Sequence, residues 1–339
     1  MTENDKDFRI LMVGASGAGK TSLLTAMYEA IEGVFEEHDC TFTPDPATSG
    51  KLDEYRDTLR AYADNDDPDR SIVVGAMEGL EGGRDLRTYR FGVKFLRQEQ
   101  KPKHDLTIQF DDVPGGWYYS AAGGEELTTI LQRADAMLVA IDATALMHDV
   151  REGQEFGHYH DQFNRPKSIV TALKHAGVGA PGPDGTGGRL RAVIYTLTKA
   201  ETYCQTPQAE AELASKAIAA YAKLTDYLNK QDVPVYLTVV QTVGCLKLHK
   251  FEKGEHAKQG EVVIPVFRRI LGKKYSPSNC DAPLRLIFWE ALEKKLEEER
   301  AGIPEIINTW IEWLGFRERL INLIHDVATI DEKKYQALN

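Results

Sequence analysis

The stretch Gly14-Ala15-Ser16-Gly17-Ala18-Gly19-Lys20-Thr21 decides the fold of this 339-residue chain. It fits the pattern G-x-x-x-x-G-K-[ST], which is typical of a loop that wraps phosphate groups. The short apolar run 8–13 before it predicts a buried strand, and Leu23, Leu24 and Met27 after it lie on one predicted helical stripe. A strand, a glycine-rich loop and a helix in this order are the context that the pattern requires.

The residue types in this loop explain how it would hold an anion. Glycine has no Cβ, so the backbone can turn tightly and its N–H groups can converge on a phosphate at the positive end of a helix. Lys20 would reach the β- and γ-phosphates, and the Thr21 hydroxyl would bind Mg²⁺. The residues predicted to line the phosphates are Gly14, Ser16, Gly17, Ala18, Gly19, Lys20, Thr21 and Ser22.

Composition and charge exclude several other classes of protein. With 42% hydrophobic and 27% charged residues, the chain resembles ordinary globular proteins. A net charge of −11 argues against nucleic acid or an anionic membrane surface as the main partner. The four isolated cysteines and an acidic N-terminus without an apolar signal region lead us to expect a reduced, cytoplasmic protein with no membrane span.

Strand and helix patterns alternate along most of the chain. This alternation predicts an α/β fold, a three-layer αβα sandwich built on a mostly parallel P-loop sheet. The runs 88–96 and 106–110 are joined closely enough to form a hairpin, which makes one strand antiparallel. We expect a P-loop domain at 1–300 with a long insertion at about 33–87, followed by a C-terminal helical extension at 301–339.

A second motif, Asp112-Val113-Pro114-Gly115, follows the strand 106–110 directly. An acidic residue at the end of a strand beside the P-loop strand is where a further Mg²⁺ contact is needed. Asp112 would hold the metal, directly or through water, and the Gly115 N–H would approach the γ-phosphate. Asp111 is the competing ligand.

In motif order, the chain resembles P-loop GTPases of the Ras-like, translation-factor-related (TRAFAC) class over roughly residues 8–300. The similarity is closest to bacterial GTPases with large switch insertions. The first motif is GASGAGKT from Gly14, and the third is DVPG from Asp112. The resemblance implies GTP and GDP as ligands, Mg²⁺ as cofactor, and catalytic roles for Lys20, Asp112 and Gly115.

The base-recognition motif of that class, N-K-x-D or T-K-x-D, has its counterpart in Thr198-Lys199-Ala200-Glu201. Lys199 would lie over the purine, and Glu201 would accept hydrogen bonds from the guanine N1 and 2-amino groups. Glutamate is one methylene longer than the usual aspartate, and the alternative is a surface turn entering a helix. The last motif, a small-residue turn, is matched by 241–244, with Thr242 as the contact residue.

The remaining parts of a GTPase site are less clearly marked. The switch threonine that completes the Mg²⁺ shell has three candidates, of which Thr48 is preferred over Thr41 and Thr43. Where the class often has a water-orienting glutamine, Gly116 and Trp117 follow the third motif. The arginines available to assist are Arg84, Arg87 and Arg133. We therefore expect slow intrinsic hydrolysis.

The C-terminal tail carries a broad apolar face at helical spacing, including Trp310 and Trp313. It either packs back onto the domain or docks a protein partner or second subunit. The preferred interpretation is a guanine-nucleotide-binding switch with Mg²⁺-dependent, slow GTP hydrolysis. Two alternatives stay open: an ATP-using ATPase or kinase, for which the long insertion at 33–87 could supply an acceptor pocket, and a nucleotide-gated adaptor with negligible hydrolysis.

Overall fold

The strand that precedes the glycine-rich loop, β1 (Asp7–Val13), lies inside an eight-stranded sheet in the computed structural model. The structure describes residues 7–36, 40–64, 72–73, 86–95, 106–118, 124–148, 159–178, 190–256, 260–301 and 336–337. The other strands of this sheet are β2 (Cys40–Pro44), β4 (Arg87–Phe95), β5 (Leu106–Asp112), β6 (Ala136–Asp142), β7 (Ala192–Thr198), β8 (Val235–Val239) and β11 (Gln336–Ala337).

Strand order confirms the predicted fold class. The order is β11-β8-β7-β6-β1-β5-β4-β2, and β8, β7, β6, β1 and β5 pair in parallel. The strand β4 runs antiparallel to both of its neighbours, as the predicted hairpin requires. The two-residue β11, which the sequence did not predict, also pairs antiparallel, at the far edge.

Helices cover both faces of the sheet and bury an apolar core on each. One core joins the sheet to α1 (Lys20–Glu36), α2 (Pro46–Asp64) and α8 (Asp281–Ala301). The other joins it to α3 (Gly124–Arg133), α6 (Pro166–Ala176) and α7 (Pro207–Asn229). Two short helices, α4 (Ala143–Met147) and α5 (Tyr159–Phe163), follow β6. These are the three layers that alternating strands and helices predict.

Local sequence signals fixed several helix ends. Thr206 accepts a hydrogen bond from the Ala209 N–H at 3.2 Å, and Pro207 begins α7, as a capping residue followed by proline predicts. Gly177 ends α6 in the left-handed region at φ 63°. The helix α2 includes the run 48–62, in which Leu52, Tyr55, Leu59 and Tyr62 recur at helical spacing.

A second, three-stranded sheet was not predicted. It contains β3 (Ile72–Val73), β9 (Leu246–His256) and β10 (Gly260–Arg269), in the order β3-β10-β9. The prediction placed no strand between the loop after β8 and α8. Pro265 lies within β10, and an internal proline weakens a strand signal because it cannot donate to the ladder. The insertion at 33–87 contributes β2 to the main sheet, α2 to the helical layer on one of its faces, and β3 to the second sheet.

The C-terminal extension is described only at its two ends. The helix α8 ends at Ala301, and Gln336 and Ala337 pair with Leu237 and Tyr236 of β8. The apolar tail face, with Trp310 and Trp313, lies outside the described residues, so its helical structure stays a prediction. In the part of the chain that is described, no helix combines the length and apolar character needed to cross a bilayer.

Candidate nucleotide-binding site

The predicted site residues follow the strands β1, β5, β7 and β8, apart from Thr48 in the first turn of α2. These four strands are parallel, so their carboxyl ends lie at one edge of the sheet, where ligands of such folds bind. The loop 14–19 links β1 to α1, and Lys20, Thr21 and Ser22 form the first turn of that helix. Topology alone therefore brings most of the predicted motifs to one edge.

The loop before α1 has the geometry of a phosphate cradle. Gly17 and Gly19 have φ values of 80° and 89°, in a region that side chains with a Cβ rarely adopt. The buried Lys20 Nζ donates to the carbonyl oxygens of Gly14 at 3.1 Å and Ala15 at 3.3 Å. The lysine side chain therefore lies folded along the loop, with its ammonium group held against the loop carbonyl oxygens.

The two candidate metal carboxylates lie on opposite faces of β5. The Thr21 hydroxyl donates to Asp112 Oδ2 at 3.3 Å, and Lys20 Nζ lies 3.6 Å from Asp112 Oδ1. Asp111 instead accepts hydrogen bonds from Thr88 Oγ1 at 2.8 Å and from Gln109 Nε2 at 2.9 and 3.1 Å. Asp111 thus has structural partners on the other face, and Asp112 is the carboxylate beside the P-loop.

The Thr21 and Asp112 oxygens suit a hard cation. A hydroxyl and a carboxylate oxygen are ligands that Mg²⁺ accepts together with phosphate oxygens and water. Among the described residues, no group of three or more His, Cys, Asp or Glu side chains could hold a metal ion. Thr21 and Asp112 would therefore supply two protein ligands to a cation at this edge.

Gly115 is packed directly against the phosphate loop. It begins the 3-10 turn Gly115–Tyr118, and a Cβ built on it would lie 2.4 Å from Ser16 N and 2.8 Å from Ala15 C. Real Cβ atoms essentially never approach backbone atoms this closely. Only glycine therefore allows the DVPG segment to lie against the loop.

The TKAE segment adjoins the phosphate loop from the other side. The Thr198 hydroxyl donates to the Ala18 carbonyl oxygen at 2.6 Å and is 3.2 Å from the Ile141 carbonyl oxygen. Lys199 adopts a left-handed conformation, with φ 54° and ψ 34°. The hydrogen bond from Thr198 ties the predicted phosphate and base ends of the site together.

Asp142 is a site residue that the sequence analysis missed. Its Oδ2 lies 2.6 Å from Lys199 Nζ, with side-chain exposures of 0% and 7%. Its Oδ1 accepts from the Thr144 N–H at 2.8 Å and the Ala145 N–H at 3.1 Å, which caps α4. An aspartate at the carboxyl end of a buried strand was the available signal.

Glu201 faces the loop after β8 rather than solvent. The carboxylate oxygen Oε1 accepts from the N–H groups of Val243 at 3.1 Å and Gly244 at 3.3 Å. Thr242, the predicted contact residue of this loop, is buried beside them. Burial raises the pKa of Glu201 above its usual value, and the two backbone donors and Lys199 partly oppose that increase.

A segment before α8 braces this loop. Gln241 and Ser278 exchange two backbone hydrogen bonds, at 3.0 and 2.9 Å, and the Ser276 N–H donates to the Val243 carbonyl oxygen at 3.0 Å. The second sheet reaches the same region, since the Leu248 N–H donates to Thr202 Oγ1 at 2.7 Å. The loop that holds Glu201 is therefore fixed by chain segments on both sides.

The switch-threonine candidates lie on β2 and in the first turn of α2. The Thr48 N–H donates to Asp45 Oδ1 at 2.7 Å, and the Thr48 hydroxyl accepts from the Arg90 N–H at 3.0 Å. Thr41 and Thr43 lie on β2, one strand beyond β4. The hydrogen bonds described for Thr48 thus join it to its own helix start and to β4. Its role as a metal ligand stays a prediction.

The raised pKa of Glu201 predicts a pH effect on stability. Because folding raises this pKa, the stabilising contribution is fully present below the unfolded value and is lost as pH rises through the folded value. The variant Glu201→Gln keeps an acceptor for Val243 but carries no charge. In urea unfolding of nucleotide-free protein, its stability relative to wild type should rise between pH 5 and pH 8. A relative gain by wild type over that range would contradict the assignment.

The sequence matches one protein family and the fold matches solved structures. The model of the family described as Double-GTPase 2 matches residues 9–233, which include every predicted site residue except Thr242. No curated protein matches the sequence. Among solved structures, the crystal structure of sup35 complexed with GDP matches with 14% identity and a TM-score of 0.29. That match covers 70% of this chain and 37% of the sup35 chain.

Proposed function

The chain belongs to the Double-GTPase 2 family, and from this premise we propose that it is a Mg²⁺-dependent GTP-binding switch with slow intrinsic hydrolysis. Membership makes the chain a P-loop GTPase and a GTP-binding protein. The observation that carries the finer proposal is a hydrogen bond between the TKAE segment and the phosphate loop. The Thr198 hydroxyl donates to the Ala18 carbonyl oxygen at 2.6 Å. That contact supports the proposal because it joins the proposed base-recognition segment to the proposed phosphate loop.

At the phosphate end, each residue has one role. Lys20 neutralises the β- and γ-phosphates, and the N–H groups of the loop and of the first turn of α1 donate to their oxygens. Thr21 and Asp112 hold Mg²⁺, which supplies positive charge to the phosphate oxygens. The Gly115 N–H donates a hydrogen bond to the γ-phosphate. Loss of that phosphate on hydrolysis therefore releases the DVPG segment.

At the base end, the Glu201 carboxylate selects guanine. Its Oε1 is occupied by Val243 and Gly244, which leaves Oε2 to accept from the guanine N1 and 2-amino groups. Adenine offers neither donor on that edge. The extra methylene of glutamate suits a carboxylate that must reach both the loop and the base. Lys199, held by Asp142, covers the purine with its aliphatic stem.

Slow hydrolysis follows from the residues after Gly115. Gly116 has no side chain, and the Trp117 indole is a donor without an acceptor, so neither can orient an attacking water as a glutamine would. A protein partner, or self-association through the 301–339 tail, would supply the missing water-orienting group. Separately, the isolated cysteines favour a cytoplasmic location. A purified wild-type rate of tens per second without a partner would contradict this part of the proposal.

Nucleotide preference is the first test. Equilibrium binding of GDP, GTP, ADP and ATP with Mg²⁺ should show guanine preference in wild type, and Glu201→Ala should lose about 1.5–3 kcal/mol of guanine binding. The matched control is Glu212→Ala, which removes a carboxylate whose described ion pair is with Lys216 on the exposed side of α7. The control should bind as wild type does.

Other outcomes favour the two alternative functions. Equal or adenine-preferring binding that Glu201→Ala leaves unchanged would overturn the guanine assignment and favour an ATP-using enzyme. Guanine preference without measurable single-turnover hydrolysis would instead favour a nucleotide-gated adaptor. The two measurements therefore separate the three candidate functions.

A further inference from the structure

Arg87 occupies a position in the sheet that the proposed function has not yet used. It begins β4, and the register of the β4–β5 pair places it directly opposite Asp112. In an antiparallel pair, directly opposite residues project from the same face, with Cα atoms about 4.5–5.5 Å apart. The Arg87 side chain therefore leaves the sheet on the face where Asp112 contacts Thr21 and Lys20.

A tyrosine from the insertion contacts the Arg87 guanidinium. Arg87 Nη1 lies 3.4 Å from the hydroxyl oxygen of Tyr55, on α2, and both side chains are half-buried. This contact is long for a hydrogen bond, so the guanidinium can move from it to a stronger, charged acceptor. Tyr55 thus orients the Arg87 guanidinium through a weak contact that the guanidinium can leave.

Tyr89 shows that these groups share one electrostatic environment. It is the next residue on the same face of β4 and is fully buried. Burial raises its pKa above the usual value; Tyr55 and Asp112 add to the increase, and Arg87 opposes it. Asp112 and Arg87 therefore both act electrostatically on the same phenol.

The other arginines considered lack this placement. Arg90, three residues along β4, projects from the opposite face, where its Nε donates to Gln109 Oε1 at 3.0 Å. Arg133 is exposed at the end of α3. Arg84 lies outside the described residues. Among the arginines available to assist hydrolysis, Arg87 is the one that the described structure places on the Asp112 face.

We propose that Arg87 contacts the γ-phosphate of bound GTP and stabilises its transition state for hydrolysis, with Tyr55 as its positioning residue. The proposal rests on the proposed GTPase function. A water oxygen bonds to the γ-phosphorus while the bond to the β–γ bridging oxygen breaks. The bond electrons stay on the GDP oxygen, and the water protons pass to phosphate and solvent. Arg87 gains and loses no proton, and acts by its charge.

This assignment links hydrolysis to the long insertion. Tyr55 lies in α2, and α2 belongs to the segment between the P-loop helix and β4. A partner that shifts α2 would change where the Arg87 guanidinium rests without touching the nucleotide. On this proposal, the insertion contacts the catalytic arginine through Tyr55.

Single-turnover GTP hydrolysis with Mg²⁺ tests the proposal on the full chain. Arg87→Ala should hydrolyse GTP at least about 10-fold more slowly than wild type does. Its GDP affinity should stay within about twofold of the wild-type value, because GDP has no γ-phosphate. Arg87→Lys should recover part of the rate, since it keeps the charge without the planar fork. Arg90→Ala, on the opposite face of the same strand, should hydrolyse as wild type does.

Tyr55→Phe tests the positioning role and decides the matter if Arg87→Ala does not fold. It removes one hydroxyl and keeps the ring, so the rate should fall while GDP affinity holds. Binding of GDP with aluminium fluoride, which mimics the transferring phosphate, should weaken in both variants. Wild-type rates in both Arg87→Ala and Tyr55→Phe would overturn the assignment while leaving the GTPase function intact. Failure of wild type to bind GTP would overturn both proposals.

Discussion

Replacing Asp142 with alanine is expected to lower the free energy of unfolding of the nucleotide-free protein by about 3–5 kcal/mol. The Lys199 ammonium lies 2.6 Å from Asp142 Oδ2, and both side chains are withdrawn from water. Removing the carboxylate leaves a buried ammonium without its counter-ion. Taking one partner from a buried ion pair is far more costly than losing an exposed one.

The same substitution also removes the cap of α4. Asp142 Oδ1 accepts from Thr144 N, Thr144 Oγ1 and Ala145 N, and loss of a capping acceptor costs about 1 kcal/mol. Asp142→Asn keeps an oxygen for these donors but carries no charge. It should therefore be less destabilised than Asp142→Ala, and the difference between the two separates the cap from the ion pair.

Urea unfolding followed by circular dichroism measures these effects. The double variant Asp142→Ala with Lys199→Met removes the stranded cation, so it should be more stable than Asp142→Ala alone. A midpoint for Asp142→Ala close to that of wild type would contradict the prediction. So would a double variant less stable than the single one, since that result would mean that Lys199 does not depend on Asp142.

Asp142 also shows where prediction from sequence stops. The phosphate loop and the ends of α6 and α7 were predictable because their signals lie within a few consecutive residues. Asp142 and Lys199 are 57 residues apart in sequence and meet only because β6 and β7 are adjacent in the sheet. No local pattern contains that adjacency.

The choice between Asp111 and Asp112 illustrates the same limit. Both residues end β5, and alternation predicts only that they face opposite ways. Which face carries the phosphate loop depends on how β5 pairs with β1 and where α1 packs. The register that sets Arg87 opposite Asp112 is likewise a property of strand pairing. The strands of the parallel core could thus be read from the sequence, whereas the second sheet and the residue-by-residue register across strands could not.

Gly115→Ala is expected to reduce single-turnover GTP hydrolysis by about 100-fold, because the added methyl group must push the third motif away from the phosphate loop. The nearest atoms to the new Cβ are Ser16 N at 2.4 Å, Ala15 C at 2.8 Å and Gly14 O at 3.0 Å. All three belong to the backbone, so no side chain can swing aside. An ordinary contact would need a separation larger by about 1 Å, a misplacement large enough for that loss.

The loop itself has little freedom to yield. Thr198 holds Ala18, Lys20 bridges Gly14 and Ala15, and the left-handed glycines fix its turn. The displacement therefore falls on the DVPG segment, whose N–H is proposed to contact the γ-phosphate. GTP affinity should accordingly fall more than GDP affinity. Overpacking at this contact should also lower stability by about 1–3 kcal/mol.

The next residue supplies a matched control. A Cβ built on Gly116 meets no atom within 4 Å, so Gly116→Ala adds the same methyl group one position later without a clash. It should retain the wild-type ratio of GTP to GDP affinity and the wild-type hydrolysis rate. Equal behaviour of the two alanine variants would contradict the close approach of Gly115. A loss confined to Gly115→Ala would tie the sensing of the γ-phosphate to the contact between the third motif and the phosphate loop.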